Sequence, residues 1–91
     1  MNYRFTASKR YWSNFYALPS DQKESVRRAW KIFKANLFDP KLHTHRIHSL
    51  SAYSGKTIYA VEVEADLRVV FTIQGALVHT IDIGTHDIYK I

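Results

Sequence analysis

At 91 residues and 10.6 kDa the chain has room for one domain spanning 1–91, and 46 % hydrophobic residues, 14 % aromatics, three Gly and two Pro exclude disordered, collagen-like or low-complexity classes. With no Cys, disulfides and thiolate chemistry are excluded; with no long apolar stretch and no opening signal peptide, a cytoplasmic protein without membrane contact is expected. A net charge of +5 is split unevenly, 11 Lys and Arg against 3 Asp and Glu in residues 1–60 and 2 against 5 in 61–91, which suits a polyanionic partner, either nucleic acid or an acidic protein.

Tyr3-Arg4-Phe5-Thr6 alternates ring and polar group and predicts a first strand with Tyr3 and Phe5 inward. Ser8 can cap a helix carrying Tyr11, Trp12, Phe15 and Leu18 on one side, and Leu18-Pro19-Ser20-Asp21 breaks it. A second helix then starts near Ser20, with Asp21 and Glu24 in its first turn and Val26, Ala29, Trp30, Phe33 and Leu37 on one face. Its other face carries Lys23, Arg27, Lys31 and Lys34 over ~17 Å at 1.5 Å per residue. That stripe reads either as a solvated face or as a phosphate-tracking one.

Asn36 to Pro40 ends the helix, a strand is expected around Arg46 to Leu50, and Ser54-Gly55-Lys56 turns the chain. Thr57 to Val63, Leu67 to Ile73 and Leu77 to Ile83 are rich in Val, Ile, Phe and Tyr and read as strands, joined at Glu64-Ala65-Asp66 and Gln74-Gly75-Ala76. The fold class is α+β, in the order β-α-α-β-β-β-β, with two N-terminal helices packed on one face of a curved, mainly antiparallel sheet.

Those turns fix a register, because one slipped residue sends every core side chain to the other face. They pair Val63 with Leu67, Glu62 with Arg68, Val61 with Val69 and Tyr59 with Phe71. On the next strand they pair Ile73 with Leu77, Phe71 with His79, Val69 with Ile81, Leu67 with Ile83 and Arg68 with Asp82. Arg68 is thus expected between two carboxylates, either as an ion-pair row that fixes register or as a phosphate-binding group beside Glu62. His79 is expected to be structural, on the core face with Leu77 and Ile81. The other histidines are His43, His45 and His48 before the sheet and His86 near the end; His-x-His-x-x-His matches no strong metal spacing, so acid–base work suits them better and no metal or cofactor is expected.

Three segments carry a family resemblance: Phe38-Asp39-Pro40-Lys41-Leu42-His43-Thr44-His45, Asp66-Leu67-Arg68-Val69-Val70-Phe71, and Asp82-Ile83-Gly84-Thr85-His86-Asp87. The chain resembles, over nearly its whole length, the RelE/ParE toxins of bacterial toxin–antitoxin pairs, and within them the YafQ-like branch. The resemblance implies two helices on a curved antiparallel sheet, ribonuclease action on mRNA, commonly on the ribosome, and neutralisation by a co-expressed antitoxin that is acidic, partly disordered and DNA-binding. It places the catalytic histidine of Gly-Thr-His at His86 and an upstream histidine at His48, with His45 close enough to exchange roles. It also implies Asp66 as an orienting acid or base, Arg68 on the phosphate and Tyr89 on a base; beside the resemblance, the register adds Glu62 to the catalytic candidates, and Arg46 and Lys56 are counted among the RNA-binding ones. Glu62 stands where YafQ-like members have a histidine, and Asp82 where they have an arginine, so this site is the more acidic.

RNA cleavage of this type needs a base for the 2′-hydroxyl proton, an acid for the leaving 5′-oxygen and cations for the crowded phosphate, and it requires no metal. The leading expectation is therefore a metal-independent mRNA endoribonuclease of the toxin class. Its rivals are a ParE-like toxin that poisons gyrase by contact and a catalytically silent antitoxin-binding relative.

Overall fold

The computed structural model describes residues 2–89, with 53 and 54 described by their backbone. Strand β1 (Arg4–Ala7) leads into helix α1 (Lys9–Tyr16) and helix α2 (Ser20–Ala35); then follow β2 (His45–Arg46), α3 (His48–Ser54), β3 (Tyr59–Glu64), β4 (Leu67–Gln74) and β5 (Leu77–Gly84). The strands form one sheet in the order β1-β5-β4-β3-β2, antiparallel except where β1 runs parallel to β5. The α+β expectation holds, and short 3-10 turns at Pro40–Leu42 and His86–Tyr89 complete the chain.

The helical hairpin forms as the sequence reads. Ser8 accepts the Tyr11 N–H at 3.0 Å and its hydroxyl also bonds the Ile81 carbonyl, so one side chain caps α1 and ties it to β5. Phe33, Leu37 and Leu42 meet Val61, Phe71 and Val78 in one buried cluster, and Phe15 and Val26 meet Leu67 and Ile83 in a second. Both lie between the hairpin and one sheet face. The opposite sheet face is covered as well: Ile47 and Ile58 bury Ala60 and Val70, with Leu50, Ile81, Ile88 and Tyr89 packed around them.

That second layer corrects the expected strand at Arg46 to Leu50. Pairing stops after His45 and Arg46, which face Ala60 and Tyr59, and the chain then coils into α3, closed by Gly55 at φ 73. Seven residues are too few for a helix to stand on propensity alone. Here, tertiary bonds hold it: Ile47 N–H bonds Ile58 O at 2.8 Å, and buried Ser51 accepts the Ile58 N–H at 2.8 Å.

The β3–β4 register matches expectation at Tyr59–Phe71, Val61–Val69 and Glu62–Arg68, but Glu64 rather than Val63 faces Leu67, which leaves Val63 as a bulge. The β4–β5 register departs further. Gln74 pairs with Leu77 across a two-residue Gly75-Ala76 turn, with Gly75 at φ 58, so Ile73 faces Val78 and Phe71 faces Thr80. A turn one residue shorter than expected flips the start of β5: fully buried Val78 points to the hairpin, and His79 lies on the other face opposite Thr72, with Nδ1 2.7 Å from Thr6 Oγ1. A bulge at Ile81 then restores the parity, so Ile83 is buried opposite Val69 as a core residue with a different partner from the one expected.

Candidate functional site

The two slips together place Gly84, not Asp82, opposite Arg68. Asp82 faces Val70, and its carboxylate accepts the Asn14 amide at 2.7 Å and the Ile83 N–H at 2.8 Å. The expected row of Glu62, Arg68 and Asp82 is therefore a pair, Arg68 Nη1 to Glu62 Oε1 at 3.8 Å. Nη1 also donates to the carbonyls of Glu64 at 3.0 Å and Ala65 at 2.9 Å, so the arginine holds the β3–β4 turn from beneath. Its side chain is only 13 % exposed.

Burial of Arg68 follows from what sits opposite it. Gly84 has no side chain, and its Cα lies so close to Ile88 that a Cβ there would stand 2.6 Å from Ile88 Cγ2. The C-terminal 3-10 turn folds over this gap, with the Ile88 N–H on Thr85 O at 3.0 Å and the Asp87 N–H on Thr85 Oγ1 at 3.3 Å. The turn is pinned from the β3–β4 loop by Asp66, whose carboxylate accepts the His86 N–H at 3.2 Å. Asp66 thus touches the histidine's backbone, not its ring.

Tyr89 closes the cluster. Its hydroxyl is buried beside the Arg68 guanidinium, outside strict hydrogen-bond geometry but interacting with it. Burial pushes its pKa above the ordinary 10.0; Arg68 opposes that shift and Glu62 reinforces it. The exposed His86 imidazole packs edge-on against the Tyr89 ring, with centroids 4.8 Å apart. A guanidinium, a carboxylate, a phenol and an imidazole are thereby gathered from β3, β4 and the C-terminal turn at one end of the sheet.

No protein-family model and no curated protein matches the sequence. Solved structures do. A chain of the archaeal RelE–RelB complex from Pyrococcus horikoshii superposes with a TM-score of 0.72 at 15 % identity, covering 93 % of this chain and 96 % of that one. A chain of the E. coli DinJ–YafQ toxin–antitoxin complex gives 0.72 at 15 % identity, covering 97 % of each chain. The YoeB/ParE toxin from Agrobacterium tumefaciens gives 0.72 at 13 %, covering 94 % of this chain and 99 % of that one. The chain has the RelE/ParE toxin fold.

Within the RelE/ParE fold, four of the expected site residues come together directly: Glu62, Arg68, His86 and Tyr89, with Asp66 bracing His86. His45 lies on edge strand β2, exposed, with Nδ1 2.7 Å from the His43 carbonyl. His48 opens α3, also exposed, and among the described residues no hydrogen bond, ion pair or ring contact joins it to the cluster. Arg46 and Lys56 are exposed on β2 and in the turn after α3. Among the described residues no three His, Cys, Asp or Glu side chains gather closely enough to hold a metal. The sequence reading missed Gly84 and Ile88 as the cover over Arg68, because Gly84 meets Arg68 only once the Ile81 bulge is known.

Proposed function

We propose that the chain is the toxin of a type II toxin–antitoxin pair and an endoribonuclease acting on mRNA. The convergence of Arg68, Glu62, Tyr89 and His86 on one end of the sheet carries this reading. In the reaction the ribose 2′-oxygen bonds to phosphorus as the bond from phosphorus to the 5′-oxygen breaks. A base must take the 2′-hydroxyl proton and an acid must supply one to the departing oxygen. His86 at the exposed rim is the acid, and the Glu62 carboxylate beside Arg68 is the base. Arg68 spends one nitrogen on its carbonyl bonds, and donors on its other nitrogens stabilise the phosphate. Tyr89 offers a ring on which a base can stack. The RelE and YafQ chains of similar fold occur in complexes with RelB and DinJ, and an acidic antitoxin is the corresponding partner here.

The test is to induce the chain without a partner and map transcript ends. Cleavage should leave 2′,3′-cyclic phosphate and 5′-hydroxyl termini, and His86→Ala should slow it about 10²–10⁴-fold, the range for losing a general acid. Wild-type cleavage by that variant would remove His86 from the mechanism.

One observation favours a second reading. Arg68 is 13 % exposed, committed to two carbonyls and covered by the C-terminal turn, which suits a strut better than an anion receptor. In that reading the chain is a catalytically silent relative that keeps the fold and its antitoxin contact. No cleavage with or without ribosomes, alongside tight partner binding, would establish it.

A further inference from the structure

The loop that leaves α2 holds an aromatic ring out in water. Asn36 ends the helix and its side-chain oxygen accepts the Phe38 N–H at 3.1 Å, while Leu37 and Leu42 on either side are buried in the core. Thr44 Oγ1 donates to the Leu37 carbonyl at 2.7 Å and closes the loop on itself. With both ends anchored, Phe38 stays outside and is 50 % exposed. It meets Tyr59 edge-on, with centroids 5.6 Å apart and planes at 84°, and Tyr59 is fixed in turn by stacking on buried Phe71 at 5.5 Å. Perpendicular rings do not cover one another, so Phe38 is a rigid step with ring surface left for a further flat partner.

A single exposed ring needs no explanation by itself. Its setting does. Arg46 pairs with Tyr59 across β2 and β3, and residues directly opposite share a sheet face, so its exposed side chain leaves the sheet beside the Phe38–Tyr59 pair. Exposed Lys41 follows Phe38 by three residues in the same loop. Residues 36–61 carry Lys41, Arg46 and Lys56 against one acid, Asp39, whose carboxylate accepts the Lys41 N–H at 2.9 Å. A ring bordered by cations is the arrangement that holds single-stranded nucleic acid: the ring stacks on a base and the cations take the neighbouring phosphates. An acidic peptide would answer the charges and leave the flat face of the ring unused.

We infer that Phe38, backed by Tyr59 and bordered by Lys41 and Arg46, is a stacking subsite for an unpaired base of single-stranded RNA, separate from the cluster around Arg68. The inference rests on the nuclease reading only for why RNA reaches this edge of the sheet. Tyr59 precedes Glu62 by three residues on β3, ~10 Å at 3.3 Å per residue. Strand β2, at the edge, is two residues long, so an RNA strand passes round it from one sheet face to the other.

The probe is a fluorescein-labelled RNA of about eight nucleotides with 2′-O-methyl groups throughout, which blocks attack by the 2′-oxygen and lets the full, unaltered chain be titrated by anisotropy. Phe38→Ala should weaken binding about tenfold, within the range for losing one stacked base, and Phe38→Trp should match or exceed wild type. Phe38→Leu keeps an apolar side chain without a π-face and should fall with the Ala variant. Lys41→Gln and Arg46→Gln should each weaken binding and lower the slope of log affinity against log salt by about 0.7, the value for one single-strand phosphate. All these side chains are exposed, so circular dichroism should be unchanged. No binding of the oligonucleotide, binding indifferent to Phe38→Ala, or a Leu variant as tight as wild type overturns the proposal. So does a Glu-rich peptide that displaces the RNA and itself depends on Phe38, since that would assign the ring to a protein. Binding that needs Phe38 while transcripts stay whole sinks only the nuclease reading, and transcripts cut with binding indifferent to Phe38 sinks this inference alone.

Discussion

Asp66 Oδ1 accepts the backbone N–H of His86 at 3.2 Å across twenty residues of sequence, so the loop between β3 and β4 fixes where the last turn presents its imidazole. An acceptor oxygen is all that this bond requires. Asp66→Asn should therefore keep the His86 amide shift and the cleavage rate near wild type, whereas Asp66→Ala should lose the bond, about 1 kcal/mol of stability and most of the activity. Amide NMR with cleavage assays checks this. If the Asn variant is as inactive as the Ala variant, the carboxylate itself carries the proton.

Gly84 is required by close approach, not by backbone angle. A Cβ at this position would stand 2.6 Å from Ile88 Cγ2, a methyl on the branched Cβ that moves away only if the side chain changes its χ1 rotamer or the turn shifts. Gly84→Ala should lift the C-terminal turn off Arg68 and cost about 1–3 kcal/mol, as overpacking does. Denaturant melts should show the loss, and Gly84→Ala with Ile88→Ala should recover part of it by opening the space.

Tyr89 gives a prediction about pH. Its hydroxyl is buried outside strict hydrogen-bond geometry yet interacts with the Arg68 guanidinium, so at neutral pH Tyr89→Phe should change stability by no more than about 1 kcal/mol. Its pKa is raised on folding, mainly by burial. The native state therefore holds the phenolic proton more tightly than the unfolded chain. That contribution is complete below the ordinary 10.0 and is lost as pH climbs through the folded value. Thermal melts from neutral pH to above 10 should fall more steeply for wild type than for Tyr89→Phe, and equal slopes would show that the phenol gains nothing from burial.

The hairpin and both its core clusters were legible because 3.6-residue spacing over α2 and alternation over β3 and β4 are long, redundant signals. Helix α3 was not, since seven residues carry too little periodicity and its stability comes from Ser51 and Ile58, which lie in separate segments. Of the residues the sequence suggests for a site, Glu62, Arg68, Tyr89 and His86 lie together with Asp66 beside His86, whereas His45, His48 and Arg46 lie on β2 and α3. The geometry of the cluster was not legible. Glu62 opposite Arg68 could be counted from one turn, but the place of Asp82 depended on a two-residue hairpin at Gly75 and a bulge at Ile81, each shifting the pairing by one. A bulge leaves little trace in a strand's composition, since its extra residue, here Ile81 between Thr80 and Asp82, is an ordinary strand residue that keeps the alternation of apolar and polar side chains.

The Ile81 bulge is held from outside the sheet, which makes it testable. Ser8 bonds the Ile81 carbonyl with its hydroxyl while accepting the Tyr11 N–H, and its own N–H reaches Thr80 O at 2.9 Å. Ser8→Ala removes the cap on α1 and the tie to the bulge together, so it should cost about 2 kcal/mol, at the upper end for a lost N-cap. Ser8→Asp can still cap through a carboxylate oxygen but cannot donate to Ile81, and it should recover the helix without the tie. Hydrogen exchange separates the two losses. In Ser8→Asp, protection should return at Tyr11 and remain low around Asp82 and Ile83; full recovery at both places would show that the bulge stands without Ser8.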